Sequence, residues 1–252
     1  MTLKRYAMPA FWPVPRKQKL YVSTPNPGPH GKKECLPLQV ILRDILKLAS
    51  NGKEVKTILS AKNIVVDKRI RTDSRYPVGL QDVLEMPAAK KQYRVVAARK
   101  GLMLQEIKPG ESDRKLCRIT GKITIKKGKI RLACHDGRNI IVEKAKDYKV
   151  GDSLLISLPE QGIIRHFPLK EGEYAVITAG RNMGVEGTIK KIRKRAKMQE
   201  ESTVSIQAEG REIQTLLDYV MVGRITNDSV PKKQPSRKER AKTRAAKKEG
   251  SK

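Results

Sequence analysis

Aromatic side chains are scarce in these 252 residues: one Trp, seven Tyr and two Phe. Cores built from this chain must be aliphatic, and reading nucleic acid with rows of stacked rings is ruled out as its main device. Cysteine is almost as rare. Cys35, Cys117 and Cys134 are odd in number, widely spaced and without a C-x-x-C, so neither a disulfide framework nor a zinc ribbon is expected. His30, His135 and His166 lie far apart and show no metal-ligand spacing; no metal and no cofactor are expected. No run approaches the ~18–20 apolar residues of a membrane span. Pro9, Pro13 and Pro15 break up the basic N-terminus before the apolar stretch of a leader could form. A cytoplasmic protein with no membrane partner is expected.

Acidic residues are the other shortage. Asp and Glu number 26 against 55 Lys and Arg, giving a formal net charge of +29. A compact chain with that self-repulsion calls for a polyanionic partner. Nucleic acid comes first, an anionic membrane surface second, and a small acidic substrate last, since a small-molecule site needs a few charges and not a basic surface. Hydrophobic residues make up 38%, too many for a disordered chain and few for one tight globule. Folded modules of modest size with basic arms are expected.

The chain divides into five parts. Residues 1–37 hold seven of the fourteen prolines and read as a basic, extended arm anchored by Phe11, Trp12 and Tyr21. Those rings can pin the arm to the protein's own body or touch RNA. Residues 38–92 form a helix–helix–hairpin unit. Its first helix is expected over 38–50, where Leu38, Ile41, Leu42, Ile45, Leu46 and Ala49 fall at helical spacing. Asn51-Gly52 stops it, and a second short helix covers 53–60. Ile64–Val66 and Ile70–Thr72 then pair across a tight turn at Asp67–Arg69. Residues 93–170, with short segments beginning at Tyr93–Ala97 and frequent glycines, read as a central antiparallel β domain. Residues 171–226 are a third unit of short strands around the glycine-framed loop Gly180–Gly184. Residues 227–252 are a basic tail, expected to stay disordered until it meets a partner; from 231 onward it carries ten Lys or Arg and two Glu. The fold class expected is α+β and multidomain.

Catalytic motifs are missing: no G-x-x-x-x-G-K-[ST], no H-E-x-x-H, no G-x-S-x-G. Cys134-His135-Asp136 is the one reactive-looking cluster. Adjacent strand residues point to opposite faces, so it reads as a turn before Gly137 and not as a nucleophile with its base. Basic clusters are the stronger signals. Lys68, Arg69 and Arg71 crowd one hairpin tip, with Ile64, Val66 and Ile70 expected to hold it against the helices. Arg43 and Lys47, one helical turn apart, would leave the first helix together. Lys190, Lys191, Arg193, Lys194, Arg195 and Lys197 follow the glycine loop that carries Arg181 and Asn182. Lys4, Arg5, Arg16 and Lys17 line the arm beside Trp12. All are candidate RNA contacts; a solvated charged face is the plainer alternative for the hairpin and first-helix cations, and glycines needed only for barrel turns would explain the third unit's loop but not its cations.

The residues also carry a resemblance. Leu3 through Lys17, Pro27-Gly28-Pro29-His30, Glu34 through Leu38, Leu42-Arg43, Val66-Asp67 with Ile70 through Asp73, Tyr76-Pro77 with Gly79, and His135-Asp136-Gly137-Arg138 resemble, in order, the archaeal–eukaryotic (e-type) family of small-subunit ribosomal protein four. Lys68 stands where that family usually has Gly. Gly180-Arg181-Asn182-x-Gly184 looks like its KOW motif. The resemblance implies a small S4-like RNA-binding domain, a central β domain and an SH3-like KOW barrel. It implies a structural, non-enzymatic part of the small ribosomal subunit, with small-subunit rRNA and neighbouring ribosomal proteins as partners and no small-molecule substrate. It points to an archaeal member. A transiently RNA-binding translation or transcription factor is the alternative; an RNA-modifying enzyme would need a further large catalytic domain, for which nothing after residue 93 has the pattern.

Overall fold

Residues 2–108, 110–125, 128–143, 147–195, 200–208 and 210–225 are described by a computed structural model. The expected disordered tail and Lys197 lie outside these residues. The described molecule is mostly β, with few helices.

The arm is a docked hairpin. β1 (Thr2–Lys4) pairs antiparallel with β2 (Tyr21–Ser23). The loop between them closes around Arg5, whose guanidinium donates to the carbonyls of Pro15 (2.6 Å) and Tyr21 (3.4 Å). Leu3, Met8, Trp12, Val14 and Val22 are buried in one core with the first module.

That module starts at β3 (Cys35–Pro37). The chain turns into an α-helix at Leu38–Val40, which widens into a π-type turn over Ile41–Ile45; the Leu46 N–H closes onto the Ile41 carbonyl. The expected helix to residue 50 stops short. Lys47 takes the left-handed conformation (φ 54°), and the Leu48 N–H returns to the Leu42 carbonyl, a closure usually made by glycine. Asn51 does not end this helix but begins the next. Its side chain accepts from the N–H groups of Lys53 and Glu54, and Glu54 reaches back to the Ser50 N–H, which caps Gly52–Ser60. Val55 and Leu59 face the core.

The hairpin is β4 (Val65–Val66) and β5 (Arg69–Ile70), joined by Asp67 and Lys68 with φ of 49° and 63°. Two positive φ angles make a type I′ turn, whose twist matches that of the paired strands. The turn is therefore two residues long, and Ile70, expected to hold the tip, is 54% exposed. β6 (Pro77–Gly79) pairs with β3. β7 (Val83–Met86), β8 (Lys91–Ala98) and β9 (Gly101–Glu106) complete a sheet of order β5-β4-β7-β8-β9. Tyr93–Ala97, expected to open the central domain, thus belongs to the first module. Pairing with β7 on one side and β9 on the other decides this, and both partners lie outside the segment.

The central module is an antiparallel sheet of order β12-β11-β10-β13-β14, from β10 (Arg114–Thr124), β11 (Ile130–Cys134), β12 (Asn139–Val142), β13 (Ser153–Ser157) and β14 (Ile163–Phe167). Cys117, Ile119, Leu132, Cys134, Ile140, Leu154 and Ile156 form its aliphatic core; all three cysteines are free and buried. The third module is another antiparallel sheet, order β18-β17-β16-β15-β19, from β15 (Tyr174–Ile177), β16 (Glu186–Arg193), β17 (Thr203–Ala208), β18 (Arg211–Leu216) and β19 (Val220–Val222). Leu116, Leu155 and Phe167 of the central module are buried in the same core as Ile177, Ile189 and Val204 of the third.

Two glycines explain how the modules touch. Gly101 (φ 126°) turns β8 into β9 beneath the arm, and a Cβ there would sit 1.9 Å from the Phe11 carbonyl oxygen. Gly184 (φ 82°) brings the 180–184 loop onto that same turn, where a Cβ would meet the Ala98 Cα at 2.6 Å. Only glycine allows both that conformation and that approach.

Candidate nucleic-acid interface

Three elements converge beneath the β4–β5 hairpin. The turn contributes Asp67, the loop before β7 contributes Asp82, and the β11–β12 turn contributes Asp136. All three carboxylates bind the ammonium of Lys115 on β10, at 2.6, 2.5 and 3.0 Å. Lys115 is fully buried. Arg138 bonds Asp67 and Asp136 at 2.8 Å each, and His30 of the arm bonds Asp82 at 3.0 Å. Three carboxylates thus meet Lys115, Arg138 and His30, which is neutral in sum when His30 is protonated.

Burial by itself opposes each of these charges, but their mutual attraction is stronger. Lys115 is held well above the usual lysine range: burial pulls it down, and Asp82, Asp67 and Asp136 outweigh that pull. Asp136 is lowered to about 2 against its own burial, chiefly by Lys115. Asp82 moves the same way, under Lys115 and His30. His30 is raised, Asp82 overcoming burial. His135 is different. Burial pushes it down to about 4, so it stays neutral, with Nδ1 accepting from the Arg118 N–H and Nε2 facing the Leu80 carbonyl at 3.3 Å. Cys117, His135 and Asp136 lie close enough to share an ion. Lys115 already occupies the Asp136 carboxylate and both His135 nitrogens are engaged, so the group is poorly suited to a metal.

Above this floor lies a cavity of about 690 Å³, lined by Gly28 and Pro29 of the arm, Arg69, Arg71 and Tyr76 of the first module, and Gly137, Arg138, Asn139 and Gln161 of the central one. The Arg71 guanidinium lies 4.3 Å over the Tyr76 ring. A second recess, about 840 Å³, runs between the 180–184 loop and the β8–β9 turn; Arg99, Arg181, Asn182 and Arg211 line it. Beyond it, β16 carries a bulge: Ile189 pairs with Ile206 and Lys191 with Ser205, leaving Lys190 extra. Lys190 and Lys191 therefore both face out, followed by exposed Arg193, Lys194 and Arg195.

Comparison with known proteins gives this arrangement a family. A family profile described as Ribosomal family S4e matches residues 89–163, and the RS4NT (NUC023) domain matches 2–33. The small ribosomal subunit protein eS4 of Methanocaldococcus jannaschii is 43% identical over 228 residues, covering 87% of this chain and 92% of that protein. The chain belongs to the ribosomal S4e family. The eS4 protein of Ignicoccus hospitalis is 39% identical over 199 residues, covering 75% of this chain and 78% of its own. The crystal structure of 30S ribosomal protein S4e from Thermoplasma acidophilum is similar at a TM-score of 0.65 and 32% identity, covering 75% of this chain and 94% of that one.

In this S4e chain the expected contacts sort into three kinds. Arg5 and Trp12 are corrections. Arg5 is 2% exposed and spent on backbone carbonyls, and Trp12 is 3% exposed in the core; both hold the arm in shape. Lys68 and Arg43 are engaged within the protein. Lys68 reaches Glu85 (2.9 Å) and Asp113 (2.7 Å), and Arg43 pairs with its neighbour Asp44 at 2.8 Å. Arg43 and Lys47 do not share a helical face, because the helix ends between them. The third kind stays at the surface: Lys4, Arg16, Lys17, Lys47, Arg69, Arg181, Lys191, Arg193, Lys194 and Arg195 are exposed, with Lys190 paired to Glu212. Arg71 and Asn182 are half-buried beside their cavities.

Sequence reasoning passed over Lys115, Asp82, His30 and Arg138 as a set, and Arg99 and Arg211 as partners of Arg181. The sequence marks the set poorly: Lys115 follows Asp113 and Arg114, and Asp82 follows Gln81, so neither stands out as a lone charge in an apolar run.

Proposed function

We propose that this chain is a structural component of the small ribosomal subunit and binds small-subunit rRNA with its exposed basic groups. The observation that carries the reading is the 43% identity to a small ribosomal subunit protein across nearly the full length of both chains. The net charge of +29 supports it, since phosphate neutralisation supplies most of the affinity for RNA. The exposed arginines and lysines of the arm, the hairpin, the Arg99–Arg181–Arg211 recess and the β16 edge contact phosphates. The buried ion cluster and the shared cores hold these surfaces at fixed spacing, so that shape and not base sequence is read. The 180–184 loop acts as a KOW-type contact within that surface.

Sedimentation of cell extract through a sucrose gradient after a salt wash tests this. Stable co-migration with small subunits is expected. A free pool released by the wash would favour a transient factor instead.

A further inference from the structure

The cavity under the hairpin is built for something smaller than a helix of RNA and larger than a phosphate. At about 690 Å³ it falls within the ~300–1,000 Å³ range of small-molecule sites. Its walls come from three parts of the chain, the arm, the first module and the central module, so it exists only when all three are docked.

Its electrostatics are divided. The floor carboxylates, Asp67, Asp82 and Asp136, are all consumed by Lys115, Arg138 and His30 and leave no net repulsion for an anion. The rim adds Arg69, which is exposed, and Arg71. Arg71 is not simply a surface cation. Its guanidinium lies over the Tyr76 ring, 4.3 Å from the ring centre, and its Nε is buried without a hydrogen-bond partner. A planar guanidinium placed at a cavity rim can stack on a base as well as donate to phosphate. Asn139 and Gln161 complete the rim, each with an amide that both donates and accepts.

We propose that this cavity receives one unstacked nucleotide of the bound RNA, its base stacked on the Arg71–Tyr76 pair and its phosphate on Arg69. The inference rests on the rRNA-binding reading above and adds a discrete nucleotide subsite to it. An acidic side chain from a neighbouring protein would satisfy Arg69 but leave the stacked plane and the amide rim unused, so RNA is the occupant the geometry favours.

The test uses the full chain and small-subunit rRNA. Zero-length ultraviolet cross-linking of the complex, read by mass spectrometry, is expected to place a nucleotide adduct on the segments 69–76 or 137–139. R71K keeps the charge and loses the plane. It is expected to weaken rRNA binding about tenfold, as for loss of one base–side-chain stack, with the salt dependence unchanged. Wild-type binding with no adduct on either segment, together with wild-type affinity for R71K, overturns the subsite and leaves the rRNA reading intact. A cross-link from these segments to a neighbouring protein in assembled subunits also overturns it. Failure of the wild-type chain to bind rRNA at all overturns the rRNA reading itself. The adduct is read on the wild-type chain, so the test holds even if R71K folds poorly.

Discussion

At the residue scale, Lys115 carries the most consequence. It is fully buried among three carboxylates from three separate elements. Lys115→Met would leave those carboxylates with Arg138 and His30 alone, and breaking a buried pair from one side costs about 3–5 kcal/mol. A drop of that size in the urea-unfolding free energy of the purified chain is expected, whereas Lys194→Met, on the exposed edge, should leave it unchanged. Acid acts on the same cluster. Asp136 has a folded value of about 2 against 3.8 ordinarily, so its contribution is complete above pH 4 and is lost as pH falls toward 2; Asp82 adds to the loss in the same direction. Unfolding should set in across that window. His135 acts with the same sign over a higher pH range. Its folded value of about 4 lies below 6.5, so the unfolded chain binds more protons between the two and stability rises with pH across that range. His135→Gln, which can still accept from the Arg118 N–H and donate to the Leu80 carbonyl, is expected to flatten that slope in denaturation midpoints measured at pH 5 and 6.5. His30, raised above 6.5, acts only above that value, where its stabilisation fades as pH rises.

At the scale of elements, the readable parts of the sequence were those with local causes. The helix at Gly52–Ser60 and the Asp67–Lys68 hairpin follow from local apolar spacing and from a short turn between apolar pairs, although Asn51, which caps that helix, reads in sequence as the end of the one before. What escaped was decided by partners distant in sequence. The first helix ends at a left-handed Lys47 that no periodicity marks. β8 joins the first module because β7 and β9 flank it. The bulge that turns both Lys190 and Lys191 outward depends on the register with β17. The hairpin turn itself sets two costs against each other. Lys68 holds φ 63°, which disfavours a side chain by roughly 1–2 kcal/mol, yet its ammonium ties the first module to Asp113 of the central one. Lys68→Gly is expected to change overall stability by under about 1 kcal/mol, the relief of strain offsetting the loss of its pairs with partly buried Glu85 and exposed Asp113. A thermal melt of the variant checks it. Gly184→Val has no such compensation. Its Cβ would meet the Ala98 backbone at 2.6 Å, and the 180–184 loop should lift from the β8–β9 turn, seen as faster amide exchange at Ala98–Lys100.

At the scale of the whole molecule, charge was legible from the outset and its distribution was not. The sequence places +6 on residues 1–37 and +8 on residues 231–252, but composition cannot separate a lysine that faces solvent from one that clamps a core. Arg5, Lys115 and Arg138 belong to the second kind: Arg5 shapes the arm, and Lys115 and Arg138 tie the first module to the central one, so that the exposed cations keep their spacing. The central claim is that phosphate neutralisation by that fixed basic surface drives binding. Equilibrium binding of the full chain to small-subunit rRNA across a salt series tests it most directly. The logarithm of the binding constant should fall linearly with the logarithm of salt, with a slope of about −0.7 to −0.9 per phosphate contacted. Tight binding that does not change between low and moderate salt would contradict it.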